Sequence, residues 1–346
     1  MFDYVYELGK AGDILCRDLF KLKPGEIFVI TADTESDWNV VNATARSAFS
    51  CGAKPMVITF PAPLGVSEAA DDMLPQEALI GALKGADAWV EYNYEWLLYS
   101  TPYNVAMKEN KKLRYMNLVG MHPEMMVRLI ARVDYDLLSE FMDIAWELTC
   151  NTKHFHLTTP AGGDLKFDYD PARVTTLDKG FADKPGSNFL AGQIAWAPIF
   201  DSINGTLVFD GTVDPPLRKL DKPIHCTVEK GVITKVEGGS EAQTLNSWMN
   251  SWDDPQMRRL AHCSWGWHPQ AKLTGDIVED ERIWGCSEWG IGAVGPVFGK
   301  DLAIRGASHT DGICLNTSAW LDDVQLLDKG IVVHKDLKDL ARKLGK

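Results

Sequence analysis

The fold class is decided by residues 26–60, EIFVITADTESDWNVVNATARSAFSCGAKPMVITF. The run 26–32 is rich in β-branched and aromatic residues, which is typical of a buried strand. Apolar residues at helical spacing follow over 34–49, and a glycine-containing turn leads to a second strand at 55–60. This order predicts a parallel pair of strands joined by a crossover helix.

The same alternation continues to residue 150. The predicted helices are 76–83, 102–110 and 135–149, and the predicted strands are 88–93 and 113–119. Strands that alternate with helices form a parallel sheet covered on both faces. We therefore predict an α/β protein whose N-terminal domain, residues 1–150, is a Rossmann-like parallel-sheet domain.

The pattern changes after Cys150, where strands are predicted at 153–159, 165–169, 207–209, 225–229 and 232–237. Asn204-Gly205 resembles the turn of a type I′ hairpin. Helices are predicted only near 241–252 and 255–261. The prediction is a C-terminal β-rich α+β domain over 151–346, with the boundary near residue 151.

Composition limits the partners and the location. The formal net charge of −13 argues against binding to nucleic acid or to an anionic membrane. The first twenty residues lack the basic region of a signal peptide, and no stretch approaches about 20 apolar residues. The seven cysteines show no CxxC spacing and are expected to be free thiols. We predict a cytoplasmic protein.

The segment 305–311, RGASHTD, contains the strongest candidate for metal binding. Residues two apart on a strand share a face, so His309 and Asp311 would present an imidazole and a carboxylate side by side. A structural hydrogen bond between the two is as good an interpretation as a shared cation.

A metal needs a third ligand, and His262 is the best candidate because it lies at the end of a segment with the apolar spacing of a helix. His154 and His156 also have chelating spacing, but exposed strand histidines are unremarkable. His268 fits a pocket residue better than a ligand. The literal GxGxxG at 290–295 falls in the β-rich half and runs into a proline, so it does not predict a dinucleotide site.

Seven of the twelve tryptophans lie between Trp248 and Trp320. They predict either a large aromatic core or a pocket for a planar ligand, and we favour the pocket. Trp265 and Trp289 are its candidate walls.

Four stretches together resemble a known family: GQIAWAPIFDSINGTLVFDG (192–211), LAHCSWGWHPQA (260–271), EDERIWGCSEWGIG (279–292) and SHTDG (308–312). They resemble the aminopeptidase T (thermophilic leucyl aminopeptidase) metallopeptidases, and more closely the 2,5-dihydroxypyridine 5,6-dioxygenase branch of that family. The resemblance covers most of the chain and is fainter in the N-terminal half.

The resemblance implies a changed set of metal ligands. The peptidases have carboxylates where this chain has Gln193 and His262, and a histidine where it has Glu288. The closing His-x-Asp is kept as His309 and Asp311. Fewer carboxylates make two adjacent dications harder to hold. His262, His309 and Asp311 remain, which is the two-histidine, one-carboxylate set of mononuclear Fe(II) enzymes.

The resemblance also implies the reaction, oxidative opening of a hydroxylated aromatic or N-heteroaromatic ring with dioxygen. Glu288 is then the candidate general base or additional ligand. Tyr99, which replaces a histidine of the dioxygenase, is the candidate proton donor. Candidate substrate-binding residues are Gln193, His268, Arg305, Trp265 and Trp289.

Two other interpretations stay open. Zn²⁺ or Mn²⁺ on the same ligands could activate water for hydrolysis of an amide or a lactam. Alternatively, the chain could be a binding protein without catalytic activity that keeps the aromatic pocket. Relatives in the family form dimers or larger assemblies, so we expect a homo-oligomer.

Overall fold

The computed structural model describes residues 4–216 and 218–346. The helices are α1 (Val5–Asp13), α2 (Trp38–Ser50), α3 (Gln76–Gly85), α4 (Thr101–Glu109), α5 (Pro123–Met126), α6 (Tyr135–Asn151), α7 (Ser240–Ser251), α8 (Ile277–Asp280) and α9 (Lys338–Lys343). Wider or tighter helical turns occupy Ile14–Leu19, Ser67–Met73, Val127–Ala131, Phe200–Ser202, Pro255–Arg258 and Pro296–Phe298. No helix in the described ranges is long and apolar enough to cross a membrane.

The strands are β1 (Ile27–Asp33), β2 (Lys54–Phe60), β3 (Ala88–Glu91), β4 (Arg114–Asn117), β5 (His154–Thr158), β6 (Asp164–Asp168), β7 (Thr175–Asp178), β8 (Gly186–Phe189), β9 (Gln193–Trp196), β10 (Asn204–Phe209), β11 (Thr212–Val213), β12 (Arg218–Lys219), β13 (Ile224–Glu229), β14 (Val232–Glu237), β15 (Leu260–Gly266), β16 (Ser287–Val294), β17 (Ile304–Cys314), β18 (Ser318–Leu321), β19 (Val324–Asp328) and β20 (Ile331–Val332).

The chain forms two compact units. The first contains the described residues up to Val133 together with Gly180–Ala191, and the second contains Asp134–Lys179 and the described residues of Gly192–Lys346. The boundary that we predicted near residue 151 falls at the end of α6. The contacts of α6 group it with the second unit, because Trp146 donates a hydrogen bond of 3.0 Å to the carbonyl of Thr175.

The first unit is built on a five-stranded sheet in the order β2-β1-β3-β4-β8. All four pairings are parallel, so the predicted parallel-sheet architecture is confirmed. Strand β1, which lies between β2 and β3, is buried from Phe28 to Asp33, as its apolar sequence indicates. Strand β8 was not predicted, because its sequence, Gly-Ser-Asn-Phe, lacks the β-branched residues that are typical of strands.

The second unit contains two main sheets, and both are antiparallel. One has eight strands in the order β14-β13-β10-β6-β5-β18-β19-β20, and the other has five in the order β17-β16-β15-β9-β7. Aromatic side chains pack between them. The ring centroids of Phe155 and Trp196 are 5.2 Å apart, and those of Phe167 and Trp289 are 5.1 Å apart. The tryptophan-rich segments therefore build the core of this unit.

The predicted type I′ hairpin at Asn204-Gly205 is wrong. Both residues lie within β10, where Gly205 pairs with Leu165 on one side and Val228 on the other. Gly205 has a φ of +132°, and a Cβ atom there would lie 2.1 Å from the carbonyl oxygen of Asp164. Gly205 is needed because strands β10 and β6 approach each other closely at this residue. The neighbouring sequence does not reveal that role.

We expect the substitution Gly205→Ala to lower the free energy of unfolding by about 2–4 kcal/mol, because it combines overpacking with an unfavourable φ. Gly162→Ala is the matched control. Gly162 also has a positive φ, +102°, but nothing lies within 4 Å of its Cβ position. The control substitution should lower the free energy of unfolding by only about 1 kcal/mol. Urea denaturation followed by circular dichroism measures both, and equal losses would contradict the steric explanation.

Candidate metal centre

Three neighbouring strands of the five-stranded antiparallel sheet in the second unit present polar residues on one face of that sheet. Strand β16 lies between β15 and β17 and is antiparallel to both. Gly290 on β16 is paired with Asp311, and Gly292 is paired with His309. Because side chains alternate along a strand, His309 and Asp311 project from the same face. The register of β15 shifts between Leu260 and Cys263, the stretch that contains His262.

The structure brings His262, His309 and Asp311 together. One potential donor atom from each of the three residues lies within 4.8 Å of the others. Nε2 of His309 is 3.0 Å from Oδ1 of Asp311, and Nε2 of His262 is 3.5 Å from the same oxygen. Two imidazoles and one carboxylate suit Fe(II), Zn²⁺ or Mn²⁺. The residues therefore fit a single divalent cation.

The two imidazole rings are nearly parallel, with centroids 5.2 Å apart and an interplanar angle of 9°. Nδ1 of His309 donates a hydrogen bond of 2.7 Å to the carbonyl oxygen of Ala293. Because a carbonyl only accepts, this bond leaves Nε2 of a neutral His309 with the lone pair that a metal requires.

Gly290 makes room for both imidazoles. A Cβ atom at this position would lie 2.4 Å from Nδ1 of His262 and 2.9 Å from Cε1 of His309. Real Cβ atoms essentially never approach that closely, and both rings are themselves held in place. The glycine in the middle strand is therefore part of the candidate centre, although it supplies no ligand.

Glu288 lies beside these residues and is fully buried. Its Oε1 atom is 3.1 Å from Nε2 of His262. Burial, followed by the charge of Asp311, raises the pKa of Glu288 well above its ordinary value. A carboxylate that is buried beside another carboxylate is costly to ionise unless a positive charge lies nearby. The position of this group is a second observation that fits a bound cation.

Electrostatics favour the metal-binding forms of His262 and Asp311 but not that of His309. Burial lowers the pKa of His262 and so keeps its imidazole neutral. Burial alone would raise the pKa of Asp311, but the neighbouring His309 lowers it below its ordinary value. Burial opposes charging of His309, but the charge of Asp311 outweighs it and raises the pKa of this imidazole above its ordinary value. A divalent cation at the centre would therefore compete with a proton on His309.

Gln193 is buried, and its side chain is part of a hydrogen-bond network with other residues of the protein. Its Nε2 atom donates hydrogen bonds to Oγ of Ser264 at 3.3 Å and to Oε2 of Glu281 at 3.0 Å. The other oxygen of Glu281 accepts a short hydrogen bond from the buried Arg282. Sequence reasoning missed Ser264, Glu281 and Arg282, although all three lie in the stretches that carry the family resemblance.

The tryptophans that we predicted as pocket walls lie on the other face of the sheet. Trp265 and Trp289 alternate with the polar residues of β15 and β16, so they project from the opposite face into the core. Nε1 of Trp265 donates to Oγ1 of Thr149 at 3.1 Å, and Trp289 packs edge-on against Phe167. The structure does not bring these tryptophans to the face that carries His262.

The remaining candidates differ in exposure. His268 is fully buried, and its Nδ1 atom accepts a hydrogen bond of 3.2 Å from the backbone of Gln270. Arg305 is exposed at the start of β17. Tyr99 lies in the first unit, in the turn before α4, with a φ of +68° that bulky residues rarely adopt. Burial raises the pKa of its hydroxyl.

We expect Gly290→Ala to abolish measurable metal binding, because the new methyl group displaces both imidazoles. Titration calorimetry with Mn²⁺ measures the effect. Gly295→Ala is the matched control, since the nearest atom to its Cβ position is a side-chain carbon of Val297 at 3.7 Å. Metal binding by Gly290→Ala at the wild-type affinity would contradict the assignment of the centre.

Solved structures share the fold of this chain. The 2,5-dihydroxypyridine dioxygenase from Pseudomonas putida KT2440 superposes with a TM-score of 0.79 at 22% identity, covering 96% of this chain and 98% of that one. AmpT from Thermus thermophilus superposes with a TM-score of 0.69 at 15% identity, covering 96% and 100%. These likenesses confirm the expected fold.

Sequence comparison identifies the branch. The chain is 27% identical over 321 residues to 2,5-dihydroxypyridine 5,6-dioxygenase from Pseudomonas putida, covering 87% of this chain and 88% of that protein. Residues 16–334 match the 2,5-dihydroxypyridine 5,6-dioxygenase (NicX) family, which is the branch that the four sequence stretches predicted. Because this match covers most of its length, the chain belongs to the 2,5-dihydroxypyridine 5,6-dioxygenase family.

Proposed function

We propose that the protein is an Fe(II)-dependent dioxygenase that opens the ring of a hydroxylated N-heteroaromatic compound of the dihydroxypyridine type. Family membership supports oxidative ring cleavage. The observation that carries the proposal is the convergence of His262, His309 and Asp311. Two histidines and one carboxylate are the ligand set of mononuclear non-haem Fe(II) oxygenases.

A bound Fe(II) ion would supply coordination positions at which the oxygens of the substrate and dioxygen meet. The protein itself holds the metal-ligand atoms in position before the cation binds. Ala293 fixes the ring of His309 through its carbonyl oxygen, and β16 fixes the spacing between His262 and the His309–Asp311 pair. Such preorganisation lowers the cost of arranging the reactants.

Glu288 is our candidate for the group that receives the proton of a substrate hydroxyl. A hydroxylated ring becomes electron-rich when it loses that proton, which favours attack on dioxygen. The carboxyl group is buried with Oε1 3.1 Å from Nε2 of His262, and burial raises its pKa, which makes the ionised form a stronger base. A general base must lie within hydrogen-bond reach of the proton that it accepts. The same position would also allow Glu288 to serve as a further metal ligand.

Tyr99 is our candidate proton donor to the opened ring. The hydroxyl of tyrosine has an ordinary pKa of about 10, and burial raises that of Tyr99 further. The side chain therefore carries its proton at neutral pH and can give it up only to a strongly basic group. The side chain is 42% exposed, which leaves the ring accessible. We retain His268 and Arg305 as candidates for orienting polar ring substituents.

The direct test is oxygen uptake by protein loaded with Fe(II) under anaerobic conditions. We expect uptake with 2,5-dihydroxypyridine or with another dihydroxypyridine or catechol from a panel, together with loss of the ring absorption. No uptake with any of these compounds would contradict the proposal. Turnover without oxygen in protein loaded with Zn²⁺ or Mn²⁺ would instead identify a metal-dependent hydrolase.

We expect His309→Ala to lower oxygen uptake by more than about 100-fold, since loss of even an outer partner of a metal ligand costs about 10–100-fold. His154→Ala is the matched control. His154 is also a strand histidine beside an aspartate, with Nδ1 2.7 Å from Oδ1 of Asp168, but the pair lies on the surface. The control should keep wild-type uptake. Similar uptake by both variants would remove His309 from the centre.

A further inference from the structure

The two histidines of the candidate centre are oriented by different means. The ring of His309 is fixed by the hydrogen bond from Nδ1 to the carbonyl oxygen of Ala293. His262 contacts the polar groups Glu288 and Asp311 through Nε2, while its Nδ1 atom faces the bare Cα of Gly290. Rotation of an imidazole about its Cβ–Cγ bond is soft, so a ring without a hydrogen bond at Nδ1 needs another constraint.

That constraint is a stack of three rings. The ring of His262 lies against His309 at a centroid distance of 5.2 Å. It also stacks on Phe298, again at a centroid distance of 5.2 Å, with an interplanar angle of 29°. The imidazole is thus in contact with two flat ring surfaces, and both restrict its rotation.

Phe298 is itself firmly packed. It lies in the helical turn Pro296–Phe298 that follows β16 and is only 5% exposed. It belongs to a buried apolar cluster with Ala195, Ala197, Ala261 and Val294, and partly buried Leu302 and Ile304 pack against that cluster. Displacing Phe298 would expose this cluster to water, which is unfavourable.

We propose that Phe298 is a positioning residue that fixes the plane of the His262 imidazole and thereby sets the affinity of the centre for its cation. The inference rests on the metal site of the proposed function. The ring of a metal-binding histidine is usually oriented by a hydrogen bond to a carboxylate or a carbonyl. Here an aromatic contact would orient it instead. Phe298 needs no contact with the cation or the substrate for this role.

The test is a titration of the full-length protein with Co²⁺, whose visible absorption bands report the ligand geometry. We expect Phe298→Leu to weaken Co²⁺ binding by about 10–100-fold, the range found for outer partners of metal ligands, and to change the absorption bands. Phe298→Tyr keeps the ring and should restore the wild-type affinity and spectrum. Val297→Ala is the neighbouring control, because Val297 is 49% exposed and should not affect either measurement.

Two results would overturn the inference, and they are distinguishable from each other. If the wild type binds Co²⁺ and Phe298→Leu binds it equally well with the same spectrum, the positioning role is wrong while the centre stands. If the wild type binds no Co²⁺, the centre itself is wrong and the inference falls with it.

A second measurement does not depend on whether a variant folds. In the metal-free wild-type protein, a ring stacked on two aromatic faces is shielded by their ring currents. We therefore expect the ring C–H proton signals of His262 in NMR spectra to lie upfield of those of His154, which is exposed. Signals at the position of an exposed histidine would show that the ring is not stacked in this way and would contradict the proposal.

Discussion

The candidate centre depends on the pairing of three antiparallel strands around a glycine. Side chains on a strand alternate between faces, so the register of β15, β16 and β17 determines which residues share a face. Gly290 in the middle strand has no side chain, and this lets His262 and His309 approach to a centroid distance of 5.2 Å. A shift of one residue in the register would send the histidines into the core and the tryptophans outward.

The same arrangement brings two acidic side chains close to the buried carboxyl group of Glu288. Asp311, Glu288 and Glu281 lie near one another, and the charge of Asp311 raises the pKa of both glutamates in addition to the effect of burial. Arg282 forms an ion pair with Glu281, whereas the partner of Glu288 is His262, whose imidazole burial keeps neutral. Unpaired buried charge is costly, so a divalent cation at the centre would stabilise the folded protein as well as supply chemistry.

The architecture of the first unit could be predicted from local sequence because most of its strands and helices have their own periodicity. The segment 26–60 contains both a strand pair and its crossover, and β1, α2 and β2 form close to the predicted bounds. His309 and Asp311 could be predicted as a pair for the same reason, since a strand places them on one face. The association of α6 with the second unit and of β8 with the first depends on tertiary contacts that local patterns do not contain.

The environment of the centre could not be predicted in this way. The sequence predicts that an apolar helix ends at His262, yet this residue lies in strand β15. The clustering of the tryptophans predicts a pocket, but strand alternation directs Trp265 and Trp289 into the core. The contributions of Gly290 and Phe298 depend on contacts between elements, and no motif records those contacts.

The most direct test of the account is the location of iron in crystals of the protein loaded anaerobically with Fe(II). Anomalous diffraction at the iron absorption edge should give one peak per chain, in contact with an imidazole nitrogen of His262, Nε2 of His309 and the carboxylate of Asp311. A peak at other residues, or no peak at these three when iron is present in the crystal, would contradict the account.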